Sequence, residues 1–167
     1  MEGLSLQRVF LVPAAQAPLK PGTVQATEVH RVAMLKLAIE GIPGLDICDF
    51  EIRRGGVSYT VETVRYLRQA YPHDRLFWII GADQLPRLPL WHRIEDLARM
   101  VEFICLERPR HELVGPSLPG LRWHRCPGHL LDISSTEIRD RAARELPLDC
   151  LVPNKAIVYL KKNSLYR

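Results

Sequence analysis

Short apolar runs alternate along the chain with stretches whose apolar residues recur at helical spacing, the pattern of strands separated by helices. Residues 8–14 (RVFLVPA) are an apolar run broken by Pro13 and predict a buried strand. After a loop containing proline and glycine, Thr27 is placed to cap a helix that runs through Glu40. Val32, Leu35 and Ile39 share one face of it, and Gly41 follows as its stop. Residues 45–52 (LDICDFEI) predict the next strand. A helix then begins near Thr60, carries Val64, Leu67 and Tyr71 on one face, and ends before Pro72.

The run at 75–83 (RLFWIIGAD) predicts a strand closing on Gly81 and Asp83. A helix at 91–100 precedes a strand at 102–109, and a loop rich in proline and glycine spans 108–119. A short strand around Trp123, a loop containing CPGH at 126–129, a helix capped near Ser134 and a final helix at 153–163 complete the chain. This β-α-β-α order with apolar strands predicts an α/β fold, a parallel sheet with helices on both faces. Such sheets bind ligands at the carboxyl ends of their strands, which singles out Pro13, Gly81 to Asp83, and Arg108. The helix beginning at Ser134 is expected to open at the same edge.

Residues 132–141 (DISSTEIRDR) carry the densest local signal. Ser134 and Glu137 have the spacing of a capping box, in which each side chain takes an orphan N–H of the first turn. On that basis Asp140 and the arginines occupy a solvated face, and Ile133 and Ile138 turn toward a core. The same residues also suit an anion. A helix start gathers free N–H groups at its positive dipole end. Ser134, Ser135 and Thr136 add hydroxyl donors there, and Arg139, one turn in, adds a fork matched to phosphate oxygens. Plain capping and phosphate binding both stay open on these residues alone.

Composition narrows the class. The 167 residues suit one domain, so residues 1–167 are expected to form a single one. Apolar residues make up 47% and charged residues 25%, ordinary for a soluble globular protein. The net charge of +4 suits phosphorylated ligands, but the basic residues form no concentrated stripe, which argues against nucleic acid. Cys48, Cys105, Cys126 and Cys150 include no C-x-x-C pair, so free thiols in a reducing cytosol are expected rather than zinc or disulfides. With no signal-peptide pattern and no apolar stretch of membrane-spanning length, a cytoplasmic protein without membrane partners is expected.

Taken together, the segments VFLVPA…PLK, SYTVET, FWIIGADQLPRLPLWHRIEDL, ICLERP, ISSTEIRDR and LVPNKAIVYLKKNSLYR resemble the bacterial nicotinate mononucleotide adenylyltransferases in order and spacing. The resemblance covers nearly the whole chain and implies a Rossmann-like fold. It implies transfer of the adenylyl group of ATP to nicotinate mononucleotide, giving deamido-NAD and pyrophosphate in NAD biosynthesis, with Mg²⁺ accompanying ATP. By resemblance, Ser134, Ser135, Thr136 and Arg139 hold the ATP phosphates. Asp83, following Gly81, contacts the adenosine ribose. Trp91 stacks on the pyridine ring, Thr60 with the N–H groups around Tyr59 reads the nicotinate carboxylate, and Lys20 lies near the mononucleotide.

Two departures accompany the resemblance. The family's glycine-rich H-x-G-H loop, whose histidines stabilise the transferred phosphate, has no counterpart, so no catalytic residue is assigned. The first central strand is expected to be missing with it, leaving the strands before Pro13 and before Gly81 each with an open edge. Leu19 also stands where the family commonly has a histidine. These departures admit a longer protein that begins upstream, a nucleotide-binding remnant that does not catalyse, or a strand supplied by a second copy in a homo-oligomer. An adenylyltransferase for another phosphorylated substrate, such as phosphopantetheine, is the alternative activity.

Overall fold

The computed structural model describes residues 4–16, 26–107, 113–127 and 133–166. Its elements are β1 (Val9–Leu11), α1 (Glu28–Ile39), β2 (Leu45–Ile47), α2 (Phe50–Arg54), α3 (Thr60–Ala70) and β3 (Phe77–Gly81). A 3-10 helix (Leu85–Leu90) leads to α4 (Ile94–Met100), β4 (Glu102–Leu106), β5 (Trp123–Cys126), α5 (Ser135–Ala143) and α6 (Asn154–Lys162). They form two compact units, Tyr59–Asp132 on the one hand and Met1–Ser58 with Ile133–Arg167 on the other.

In the unit Tyr59–Asp132, β3, β4 and β5 form a parallel ladder in that order. The pairings Trp78↔Phe103, Ile80↔Cys105 and Phe103↔Trp123 put these side chains on one face of the sheet. That face packs with Val61 and Val64 of α3, Ile94 and Leu97 of α4, and Leu85 and Leu88 of the 3-10 helix. Val61, Val64, Leu85, Leu88, Leu97 and Phe103 are completely buried. Each such Leu or Phe contributes about 1.5–3 kcal/mol of transfer free energy. Val61, Val64 and Leu67 recur at the helical spacing that the sequence suggested for α3, and Pro72 follows its end.

The other unit is built more sparingly. β1 and β2 form a parallel pair in the register Val9↔Leu45 to Leu11↔Ile47. The core there is Ala142, Leu148, Ile157, Leu160 and Leu165, with Met34, Ile138 and Tyr159 packed against it. Helix α1 contributes no fully buried residue. It meets α6 through a hydrogen bond between His30 Nδ1 and Tyr159 Oη at 2.9 Å and an ion pair between Lys155 and Glu40 at 2.8 Å. Gly41, at φ +77°, ends the α1 segment where the sequence placed its stop.

Several expectations need correction. The strand expected at 8–14 is three residues long and half-buried rather than buried, and among the described residues β1 pairs with β2 alone. The strand expected at 45–52 stops at Ile47, and α2 follows within the same apolar stretch. The Arg53–Asp49 ion pair at 2.8 Å favours that helical turn, and Gly55 closes it at φ +69°, its N–H donating to the Glu51 carbonyl. Tyr71 is the C-cap of α3 rather than a member of its buried face. Residues 91–93 belong to the approach to α4, not to the helix itself. Among the described residues, β3 likewise pairs only with β4, so β1 and β3 each have one open edge.

Candidate active site

The carboxyl end of β3 is a closed turn. Ala82 N–H continues the ladder to the Leu106 carbonyl at 2.9 Å, and Gln84 N–H returns to the Gly81 carbonyl at 2.9 Å. This holds Asp83 half-buried at the strand end, with Gln84 Nε2 donating to its Oδ2 at 2.7 Å. Burial pushes the Cys105 thiol pKa up, and the negative charges of Asp83 and Glu107 add to the shift. A carboxylate placed this way suits two vicinal hydroxyls.

From that turn the 3-10 helix runs to Trp91. Its Leu85 and Leu88 are completely buried and its two prolines restrict the backbone, so the path to Trp91 is fixed by packing. Trp91 N–H donates to the Leu88 carbonyl at 2.9 Å. The indole packs edge-to-face on Phe103, with centroids 6.3 Å apart and planes at 75°. Its Nε1–H is buried and has no acceptor among the described residues. Trp91 is therefore both a half-buried wall of the core and the holder of an unused donor.

The start of α3 lies beside this tryptophan. Tyr59 is the N-cap and Thr60 the first helical residue, so Thr60 does not cap the helix, contrary to the capping role considered for it. Tyr59 makes no side-chain cap bond to α3, and its carbonyl accepts from Glu62 N–H at 3.0 Å, so among the described residues no side chain is seen capping the N–H groups of Thr60 and Val61. The Tyr59 ring stacks at a tilt of 35° on His92, 4.3 Å between centroids. Sequence reasoning passed over His92, although its place next to Trp91 was the available clue. This contact brings Tyr59, Thr60 and Trp91 into one neighbourhood.

In the other unit, α5 begins as the sequence suggested. Ser134 is its N-cap, and its Oγ accepts from Glu137 N–H at 3.1 Å. The return bond of a full capping box, Ser134 N–H donating to the Glu137 carboxylate, is not formed among the described residues. Ser135 and Thr136 are exposed, and Arg139 reaches back to Thr136 Oγ1 at 3.2 Å, a bond that uses one of its five donors. Arg141 is half-buried, and its Nε and Nη2 both donate to the Pro147 carbonyl at 3.0 and 2.7 Å. Ile138 packs on the core as expected, whereas Ile133 is 38% exposed.

At the end of β1, Ala15 N–H donates to the buried Ser58 Oγ at 2.9 Å and the Ala14 carbonyl accepts from Arg31. Neither Ser58 nor Arg31 stood out in the sequence. Lys20, Leu19, Arg108, His129 and Asp132 lie outside the described residues. No group of three or more His, Cys, Asp or Glu among the described residues could hold a metal ion.

Comparison with known proteins bears on the family and the fold. A cytidylyltransferase-like family profile matches residues 2–141. A protein of Opitutus terrae named "Probable nicotinate-nucleotide adenylyltransferase" is 53% identical over 167 residues, covering 99% of this chain and 86% of that protein. A Streptococcus pneumoniae protein of the same name is 41% identical, covering 98% of this chain and 76% of its own length. The Plasmodium falciparum nicotinic acid mononucleotide adenylyltransferase solved in complex with NaAD superposes with a TM-score of 0.77. At 18% identity, over 96% of this chain and 82% of that one, it establishes the Rossmann-like fold. The extent of these matches makes the chain a member of the cytidylyltransferase-like family, within its nicotinate-nucleotide adenylyltransferases.

Proposed function

We propose that the chain transfers the adenylyl group of ATP to nicotinate mononucleotide, releasing pyrophosphate and forming deamido-NAD for NAD biosynthesis. The observation that carries this reading is the packed run from Gly81 through Asp83 to Trp91, which ends beside Tyr59 and Thr60. A half-buried carboxylate, an aromatic wall and a helix start all belong to the one unit Tyr59–Asp132, which supports this reading.

In this reading Asp83 accepts hydrogen bonds from the adenosine ribose hydroxyls. Trp91 lies against the pyridine ring, an electron-poor partner for indole. The first N–H groups of α3, around Tyr59 and Thr60, receive the nicotinate carboxylate at the positive end of the helix. Ser134, Ser135, Thr136 and Arg139 hold the ATP phosphates, and Lys20 assists at the mononucleotide phosphate. The acceptor's phosphate oxygen attacks the α-phosphorus as pyrophosphate leaves in line. The protein's contribution is positioning and neutralisation of charge rather than covalent catalysis.

Enzymes of this kind use a divalent metal, and we take it to be Mg²⁺ entering with ATP. Mg²⁺ is commonly held by substrate phosphates and water with few protein ligands. No helix among the described residues is long and apolar enough to cross a membrane, and we read the protein as cytoplasmic. Incubation with ATP, Mg²⁺ and nicotinate mononucleotide is expected to yield deamido-NAD and pyrophosphate in equal amounts, resolved by chromatography and mass. Faster turnover with phosphopantetheine would move the activity elsewhere in the family. Binding of ATP with no pyrophosphate from any acceptor would leave a nucleotide-binding protein.

A further inference from the structure

At the end of the three-stranded ladder remote from Gly81, arginines gather that the proposed activity does not use. A hollow of about 110 Å³ opens there among Arg68, Arg75, Arg99 and Arg122, with Asp74 and Glu102. Arg75 and Leu76 directly precede β3, Glu102 begins β4, and Arg122 directly precedes β5, so the hollow lies at the amino ends of the strands. The 5 residues of β3, at roughly 3.3 Å each, separate it from the Gly81–Asp83 turn.

The four guanidinium groups have different duties. Arg68 is committed to backbone carbonyls, that of Asp74 at 2.8 Å and that of Met100, where it closes the end of α4. Arg99 faces the carboxylates of its own helix, Asp96 at 3.5 Å and Glu95 at 3.9 Å. Arg75 and Arg122 are left to share a single oxygen, Glu102 Oε1, at 3.3 and 3.7 Å. The other oxygen of Glu102 is taken by His124 Nε2 at 2.7 Å. Arg75 and Arg122 side chains are 75% and 66% exposed, so exposed pairs at these lengths are weakly held.

Each fork carries five donors, and one shared oxygen leaves most of them without a carboxylate. The guanidinium of Arg75 also stacks 5.3 Å from the centroid of Phe77, which restrains its plane. Among the charged residues lining the hollow, cations exceed carboxylates by two. The hollow has room for several waters, hence for a tetrahedral oxyanion.

We propose that this hollow is a binding site for a phosphate group, gripped by Arg75 and Arg122 and separate from the nucleotide-transfer chemistry. The phosphate is either the free ion or that of a nucleotide. Glu102, whose Oε1 both arginines share, competes with the anion for the two forks. The inference does not depend on the activity proposed above.

The test is a titration of the full chain with inorganic phosphate at constant ionic strength, followed by two-dimensional NMR of backbone amides. Saturable shifts are expected at Leu76, Glu102 and Trp123. The R75Q/R122Q variant should weaken that saturation at least tenfold, whereas R139Q leaves it unchanged. E102Q removes the competing carboxylate charge and should tighten binding severalfold. Repeating the titration with AMP distinguishes the sources, a lower midpoint than phosphate pointing to a nucleotide and an equal one to the free ion. Linear, unsaturating shifts would overturn the site. So would saturation untouched by R75Q/R122Q, weaker binding by E102Q, or saturable shifts confined to residues 134–139.

Discussion

The two units solve the same problem with unequal means. Tyr59–Asp132 has a three-stranded ladder, with Phe103, Leu85, Leu88 and Leu97 sealed completely from solvent. The unit formed by Met1–Ser58 and Ile133–Arg167 has two strands of 3 residues and a helix α1 with no fully buried side chain. The candidate residues divide along the same line. Asp83, Trp91, Tyr59 and Thr60 stand on the densely packed unit, while Ser134, Ser135, Thr136 and Arg139 stand on the other. Reading a ring, a ribose and a carboxylate demands fixed geometry, which a sealed core supplies. Gripping a phosphate demands donors and charge, which an exposed helix start supplies without deep burial.

The largest effect should come from breaking the denser unit. Leu88→Ala is expected to cost about 2–5 kcal/mol by urea denaturation, because it opens a cavity under the path to Trp91. Leu35→Ala on the half-buried α1 should cost under about 2 kcal/mol. Comparable losses would erase the contrast between the units.

Next in size is Asp83→Asn. A charge-assisted hydrogen bond is worth about 1.5–3 kcal/mol, so kcat/KM for ATP should fall roughly 10- to 100-fold. Thermal stability should change little by comparison. An unchanged kcat/KM would return Asp83 to the status of a turn residue.

Ser134 sharpens the comparison from the other side. Ser134→Ala should cost about 1 kcal/mol as a lost cap. Ser134→Asp keeps a capping oxygen while adding a charge that repels phosphate, so stability should hold as ATP binding weakens. Equal ATP affinity for the Asp variant and the wild type would confine Ser134 to capping.

The smallest effect concerns pH. The hydrogen bond from His124 first, with Arg75 and Arg122 adding to it, holds the Glu102 carboxyl below its ordinary pKa. A carboxyl depressed in the folded state stabilises the fold fully above its unfolded pKa, about 4.3 for Glu. That contribution is lost as pH falls through the lower native value. Glu102→Gln should therefore reduce the slope of stability against pH in the acid limb below about pH 4.3, measured by denaturation at stepped pH, and leave the limb above neutrality unchanged.

Much of this was legible in the sequence wherever a local rule and a tertiary demand agree. The apolar run of β3, the helical spacing of Val64 and Leu67, and Ser134 as a cap all followed from residues a few positions apart. Illegible features depended on neighbours far along the chain. An apolar run at 8–14 cannot report that, among the described residues, its strand will pair with β2 alone. The stretch at 45–52 continued to look like strand, because the Asp49–Arg53 pair and the Gly55 stop that turn it into α2 are individually commonplace. Leu85 and Leu88 were inconspicuous beside Pro86 and Pro89, yet both are completely buried and fix the path to Trp91. His92 and the Arg75–Glu102–Arg122 group needed the fold to bring them together.

The most direct test of the division of labour is an NMR titration with nicotinate mononucleotide alone, following the Trp91 indole N–H and the amides of Thr60 and Val61. The account predicts saturable shifts at all three, reduced when nicotinamide mononucleotide replaces the acid, with Ser135 and Thr136 responding only when ATP is added. A silent Trp91 indole, or mononucleotide shifts centred on residues 134–139, would contradict it.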